Sequence, residues 1–264
     1  MSDCRLAAPE GPLVVPPASG TGTVWFSLVV PTYNERANIE PLVEQVIKAL
    51  DEKYAGRYEA IFVDDNSPDG TAAAVERVSR RFRQVKLVVR TGERGLATAV
   101  VRGWQKSAGS VLGVMDGDLQ HPPEVLADIL TRIEGKADLV LASRYCQLGG
   151  TGSWGWARRL ASKIAAMFSL IVLPEAVARV GDPLSGCFAF RREVIAGVKL
   201  APEGYKILLE VLARGRAQAI EETPYDFRLR RHGKTKATCR QLIEYLVQLM
   251  RLRLHRWGVP GGRQ

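Results

Sequence analysis

The sequence predicts an α/β fold, a mainly parallel sheet with helices on both faces, closed by amphipathic helices at the C-terminal end. Three observations lead there. Strand-like runs alternate with helical stretches of ten to fifteen residues from Val24 to Ala142, the rhythm of parallel strands joined by crossover helices. Ser110 to Met115 is short, mostly apolar and bounded by polar residues, as a buried strand is. Ile243, Leu246, Val247, Met250, Leu254 and Trp257 form one apolar stripe near the end, with Arg240, Glu244, Gln248, Arg251 and His255 lying elsewhere.

Residues 1–23, rich in Pro, Gly, Ala and Ser without sustained periodicity, read as a disordered leader. The first strand is Val24 to Val30, closed by Pro31. Leu42, Val43, Val46, Ile47 and Leu50 then recur at helical spacing. Tyr58–Val63 and Val85–Val89 read as strands, with Ala72–Phe82 a helix between them. A helix over Gly95–Ser107 precedes the strand at 110–115; Val125–Ile133 is helical and Ala137–Ala142 is the next strand. Beyond about residue 150 the alternation weakens: Trp154–Leu173 is helix-like, Ser185–Phe190 a strand, Gly204–Arg214 a helix and Ala219–Phe227 a strand. The expected division is a catalytic domain over 24–237 and, over 238–264, a helix and tail that either packs on the domain or lies on a membrane surface.

Charge is concentrated at one end. The net charge is +9, and between Arg228 and Gln264 fall ten Lys/Arg and one acid, Glu244, so residues 1–227 are neutral. Such a patch implies a local anionic partner: ligand phosphates, a membrane surface or nucleic acid. Nucleic acid is disfavoured, because Tyr225, Phe227 and Tyr245 do not form a stacking platform interleaved with the basic residues. Cys4, Cys146, Cys187 and Cys239 show no paired spacing, which speaks against a zinc site or a disulfide framework and fits a reducing compartment. No run approaches the roughly 18 uncharged apolar residues that span a bilayer, and the N-terminus lacks a signal-peptide pattern.

The chemistry is expected where the strands end. Val114-Met115-Asp116-Gly117-Asp118-Leu119-Gln120-His121-Pro122 places two acids on a loop at a strand's carboxyl end, the edge of an open α/β sheet where ligands bind. Such acids hold a divalent cation such as Mg²⁺ or Mn²⁺ that bridges nucleotide phosphates. On its own D-x-D is more often a solvated turn that caps the next helix. Pro31-Thr32-Tyr33-Asn34-Glu35 and Asp64-Asp65-Asn66-Ser67-Pro68-Asp69-Gly70-Thr71, however, follow the first two strands and share that edge. A carboxylate there accepts hydrogen bonds from a ribose or base, and an aromatic ring stacks on the base.

These stretches, with Arg144 after the fifth strand and Asp182-Pro183-Leu184-Ser185-Gly186, resemble family 2 glycosyltransferases of the GT-A (Rossmann-like) fold. Ser67-Pro68-Asp69-Gly70-Thr71, Arg90 with Gly95-Leu96 and Thr98-Ala99, Asp118-Leu119-Gln120-His121-Pro122, and Arg230 with Gly233 and Lys236 resemble in particular the polyprenol-phosphate (dolichol-phosphate) mannose synthases. The resemblance implies that Pro31, Tyr33, Glu35, Val63 and Asp65 line a nucleoside pocket and that Asp116, Gly117 and Asp118 meet ribose and diphosphate. It implies that Asp118 and Gln120 hold Mg²⁺ or Mn²⁺, and that Arg144, Arg158, Arg230 and Lys236 contact phosphates of donor or acceptor. The implied catalytic set is Asp118, Arg144, Arg230 and Lys236. The sequence departs from the pattern at Ala97 (usually Gly), Gly117 (usually Ala), Leu184 (usually Thr) and Thr235 (often Ser), none of which removes a charged ligand.

What the resemblance implies is an inverting, metal-dependent transfer of mannose from GDP-mannose to a polyprenyl phosphate. The implied place is the cytoplasmic side of a membrane, reached peripherally or through an anchoring partner protein. The same chemistry on UDP-glucose or another nucleotide sugar is the alternative, and a non-catalytic binding protein the third reading. An alcohol acceptor needs a general base; a lipid phosphate is already an anion. Neither His121, followed by two prolines, nor His232, amid basic residues, stands in a recognisable base position, which fits a phosphate acceptor.

Overall fold

The computed structural model describes residues 4–18, 22–146, 156–202, 204–228 and 239–256. One eight-stranded mixed sheet carries the fold, in the order β1-β4-β3-β2-β5-β7-β6-β8. The strands are β1 (Arg5–Leu6), β2 (Phe26–Thr32), β3 (Tyr58–Asp64), β4 (Val85–Val89), β5 (Val111–Met115), β6 (Leu139–Ser143), β7 (Cys187–Arg191) and β8 (Ile220–Pro224). The helices are α1 (Arg36–Tyr54), α2 (Thr71–Ser79), α3 (Leu96–Lys106), α4 (Val125–Glu134), α5 (Trp156–Val172), α6 (Pro174–Val177), α7 (Ile207–Arg214) and α8 (Cys239–Arg256).

Strands β2, β3 and β5 are buried along their whole length, as apolar strands covered on both faces must be. One core layer lies under α1, α2 and α4, the other under α3, α7 and α8. Helix α3 lies close on the sheet because residue 103 is glycine: a Cβ there would come within 3.0 Å of Val63. The one reversal beside the central strands is β7, antiparallel to both β5 and β6. Its register pairs Met115 with Cys187, so the turn that enters β7 sits beside the turn that leaves β5.

Two expectations change. Residues 5–18 are not a disordered leader: Arg5 and Leu6 add an edge strand against Leu87 and Val88, and Val14 and Val15 bridge to Lys199 and Ala196. Val15 is fully buried, Gln105 Nε2 donates to the carbonyls of Pro12 (2.8 Å) and Val14 (3.0 Å), and the buried Arg192 donates to Pro16 O (3.2 Å). The segment is ordered by backbone carbonyls that distant side chains need, which composition does not reveal.

The second change concerns α8. Its inward face is Tyr245, Gln248, Leu249 and Leu252, with the Tyr245 hydroxyl donating to Ala165 O of α5 at 2.6 Å. Within the stripe read from the sequence, Ile243, Val247, Met250 and Leu254 are exposed, and Trp257 lies outside the described residues. Ile164, Met167, Phe168 and Ile171 of the neighbouring α5 are exposed as well. No helix of the described residues is long and apolar enough to cross a membrane.

Candidate active site

The carboxyl ends of β2, β3 and β5 open onto a cavity of about 490 Å³. Its wall includes Pro31, Tyr33, Glu35, Asp65, Asp116, Gly117, Asp118, Gln120 and Arg144, so the structure brings together nine residues picked out in the sequence. Val63 is fully buried within β3 and is not part of that wall. Arg230 and Lys236 lie outside the described residues, as does the side chain of Arg158.

The turns that carry these residues are sharp. Among the described residues, the non-glycine positions with left-handed backbone are Asn34, Asn66 and Leu119, one in each of the three acidic turns. Asn adopts this conformation at small cost, whereas for Leu it costs about 1–2 kcal/mol; strain of this kind collects where the chain must aim side chains at a ligand. The turn after β3 is braced by Asp64, which accepts from Ser67 N (2.8 Å) and Ser67 Oγ (2.6 Å).

At the β3 end of the wall Asp65 is already engaged. Arg90 Nε donates to its Oδ1 at 2.7 Å and Gly95 N to its Oδ2 at 2.8 Å, which ties the β3 turn to the start of α3. Burial raises the Asp65 pKa despite these two partners, which pull it down. Arg94 lies 5.4 Å from the centre of the Tyr33 ring, over its face.

In the central turn, Asp118 Oδ1 accepts from Gln120 N at 3.1 Å, and Gln120 Nε2 donates to Arg228 O at 3.2 Å. That second bond assigns the amide nitrogen to the protein and leaves Oε1, the atom a cation accepts, for a ligand. Asp116 rests against Gly186 in the turn entering β7, where any Cβ would overlap its carboxylate. The same turn supplies Asp182, which grips Arg144 through Nε and Nη2, both at 2.7 Å. Burial works against the Arg144 charge, but the Asp182 bonds outweigh it and raise the pKa, so this guanidinium stays charged in the cavity wall.

His121 stands beside the acids in surroundings that make it a weak base. Burial lowers its pKa to about 4, with Arg144 and Lys206 adding to the fall and Asp118 opposing it. Its ring stacks on Tyr225 with centroids 5.1 Å apart, and its Nδ1 is buried without a hydrogen-bond partner. Nothing in the linear pattern marks Lys206 or Glu244 for this site, and they complete the wall from outside the strand ends.

Comparison with known proteins agrees with this geometry. Residues 27–198 match the family model described as Glycosyl transferase family 2. The chain is 41% identical over 226 residues to the dolichol-phosphate mannosyltransferase of Pyrococcus furiosus, covering 86% of this chain and 63% of that protein. It is 34% identical over 245 residues to the dolichol-phosphate mannosyltransferase of Saccharomyces cerevisiae, covering 89% of this chain and 90% of the yeast protein. Thus the chain spans less than two thirds of the archaeal relative and nearly all of the yeast one. In fold it is similar to the crystal structure of glucosyl-3-phosphoglycerate synthase from Mycobacterium tuberculosis in complex with Mn²⁺, UDP and glucosyl-3-phosphoglycerate. The TM-score is 0.64 at 23% identity, covering 90% of this chain and 82% of that one. With a family match across most of the sheet and relatives above 30% identity over most of the chain, the protein belongs to glycosyl transferase family 2.

Proposed function

We propose that the protein transfers mannose, with inversion, from GDP-mannose to a polyprenyl phosphate at the cytoplasmic surface of a membrane. The observation that carries this reading is the make-up of the cavity wall. It runs from Tyr33 and Asp65, past Asp116 and Asp118, to Glu244 on α8, the helix that exposes Ile243, Met250 and Leu254 on its other side. A donor nucleotide fits the first part, its diphosphate the acids, and an acceptor with an apolar tail the last. The names of the archaeal and yeast relatives support the same sugar and acceptor class.

Among the described residues no three His, Cys, Asp or Glu side chains group closely enough to hold a metal by themselves. Asp118 and Gln120 offer hard oxygen donors, which would suit Mg²⁺ or Mn²⁺. When bound, such an ion would supply charge stabilisation for the leaving diphosphate. The chain's own part is binding and orientation. Tyr33 and Asp65 hold the nucleoside, Asp116 faces the ribose and diphosphate, and Arg144 adds fixed positive charge where negative charge grows. Burial disfavours the protonated form of His121 and encloses its Nδ1, which makes it a poor proton acceptor, and an acceptor phosphate that is already an anion needs no proton taken. Arg158, Arg230 and Lys236 add to the phosphate-binding charge, and a membrane-anchoring partner protein is compatible with the bare faces of α5 and α8.

The test offers labelled GDP-mannose or UDP-glucose together with a polyprenyl phosphate and either metal ion. Mannose label entering the lipid phase, with none from UDP-glucose, is expected. Glucose label in its place overturns the donor assignment, and no lipid-linked label from either overturns the acceptor class.

A further inference from the structure

Lys206 stands at the start of α7 and lines the same cavity as Asp118 and Arg144. Its Nζ donates to Leu184 O at 3.0 Å and lies 4.8 Å from the centre of the Tyr205 ring. Leu184 belongs to the turn whose Asp182 grips Arg144, so one turn fixes two cations in the wall.

The other tie of Lys206 runs to α8. Gln248 Nε2 donates to Lys206 O at 2.9 Å, and Gln248 is 2% exposed, buried on the inward face of that helix. Gly204 of the same segment packs on Glu244, whose Cβ would lie 3.5 Å from a Cβ at 204. The Lys206 loop therefore separates the acids from the helix whose outer side is bare and apolar. A phosphate monoester with a long apolar tail has the complementary layout, with its anion inside the wall and its chain outside. A lysine suits such an anion when the anion is also the nucleophile: it binds as a point charge and leaves oxygen lone pairs uncovered.

We propose that Lys206 binds the phosphate of the acceptor and that Gln248 positions it, coupling the phosphate subsite to α8. The inference rests on the acceptor class proposed above. After binding, an acceptor phosphate oxygen forms the new bond to the anomeric carbon as the bond to the nucleotide diphosphate breaks; Lys206 transfers no proton.

The test compares wild type with Lys206→Gln, Lys206→Arg and Gln248→Leu. It measures KM and kcat for polyprenyl phosphate, Kd for GDP, and inhibition by inorganic phosphate. Lys206→Gln is expected to raise acceptor KM about 10–100-fold, the worth of one hydrogen bond to a charged group, with GDP affinity unchanged. Phosphate inhibition should weaken in parallel, Lys206→Arg should recover part of the loss, and Gln248→Leu should shift KM in the same direction by less. A loss of GDP affinity as large as the rise in acceptor KM overturns the assignment in favour of the donor diphosphate. Unchanged acceptor KM and phosphate inhibition in all three variants overturns it outright. If Lys206→Gln does not fold, Lys206→Arg and Gln248→Leu still decide through acceptor KM. Failure of the wild type to use any polyprenyl phosphate sinks the functional reading instead, a result separate from the variants.

Discussion

Gln120 and Arg228 exchange two hydrogen bonds. The Arg228 amide donates to Gln120 O at 2.9 Å, and Gln120 Nε2 donates to Arg228 O at 3.2 Å. The acidic turn after β5 is thereby clamped to the chain just beyond β8, where the basic end of the sequence starts. Gln120→Leu, which keeps volume but removes the amide, should cost about 10–100-fold in kcat/KM, the usual effect of disturbing a metal site's surroundings. It should also raise the metal concentration at half-maximal activity. An unchanged metal dependence would show that Gln120 serves only as a clamp.

The buried His121 makes stability fall in acid. Its folded pKa of about 4 is below the ordinary 6.5, so between those values the unfolded chain takes up a proton that the folded protein refuses. Stability from this residue is complete above pH 6.5 and is lost as the pH drops toward 4. Between pH 7 and pH 5 the contribution is about 2 kcal/mol. Urea unfolding at both pH values should show that difference shrinking by this amount in His121→Phe relative to wild type.

Gly186 is required by its neighbour and not by its backbone angle. A Cβ there would overlap the carboxylate of Asp116, approach its Cγ to 2.9 Å and lie 3.2 Å from His121 Cε1. Gly186→Ala should therefore displace Asp116 and lower kcat/KM about 10²-fold, the effect of a misplacement near 1 Å, while unfolding free energy changes by only about 1–3 kcal/mol. Full activity in the alanine variant would remove Asp116 from the donor's contacts.

Removal of residues 1–17 should destabilise the fold by about 3 kcal/mol, from the lost burial of Val15 and the lost partner of Arg192 Nη1. Chemical denaturation of the truncated protein measures this directly. A stability equal to wild type would return the segment to the role of a passive leader.

The strand ends were legible because two independent signals met there. Apolar runs stopped at acids in Asp65, Asp116 and Asp118, and the structure places all three on one cavity wall. The Asp182–Arg144 pair was visible only as two separate motifs 38 residues apart, since nothing in a linear pattern says that antiparallel β7 returns its turn to that edge. Lys206 and Gln248 had no pattern at all: one precedes a short helix, the other interrupts a helix as an ordinary polar residue. Helix α8 was found by its period, yet Ile243, Val247, Met250 and Leu254 of its apolar stripe lie on the outer side, while Leu246 packs partly on the core. Periodicity reports that a helix has two faces and not which neighbour each one meets. The N-terminal segment was missed because its order comes from main-chain acceptors, which every sequence possesses equally.

Helix α8 closes one flank of the cavity through Glu244. Glu244 belongs to the cavity wall, Gln248 to the buried face that holds the Lys206 loop, and Ile243 and Met250 to the outside. The Lys206 loop and one helix, roughly 10 Å across, thus divide the acids from the surrounding medium on that flank. If that medium is a bilayer, an acceptor diffuses to the door in two dimensions, and a modest slide along α8 replaces extraction of its whole tail into water.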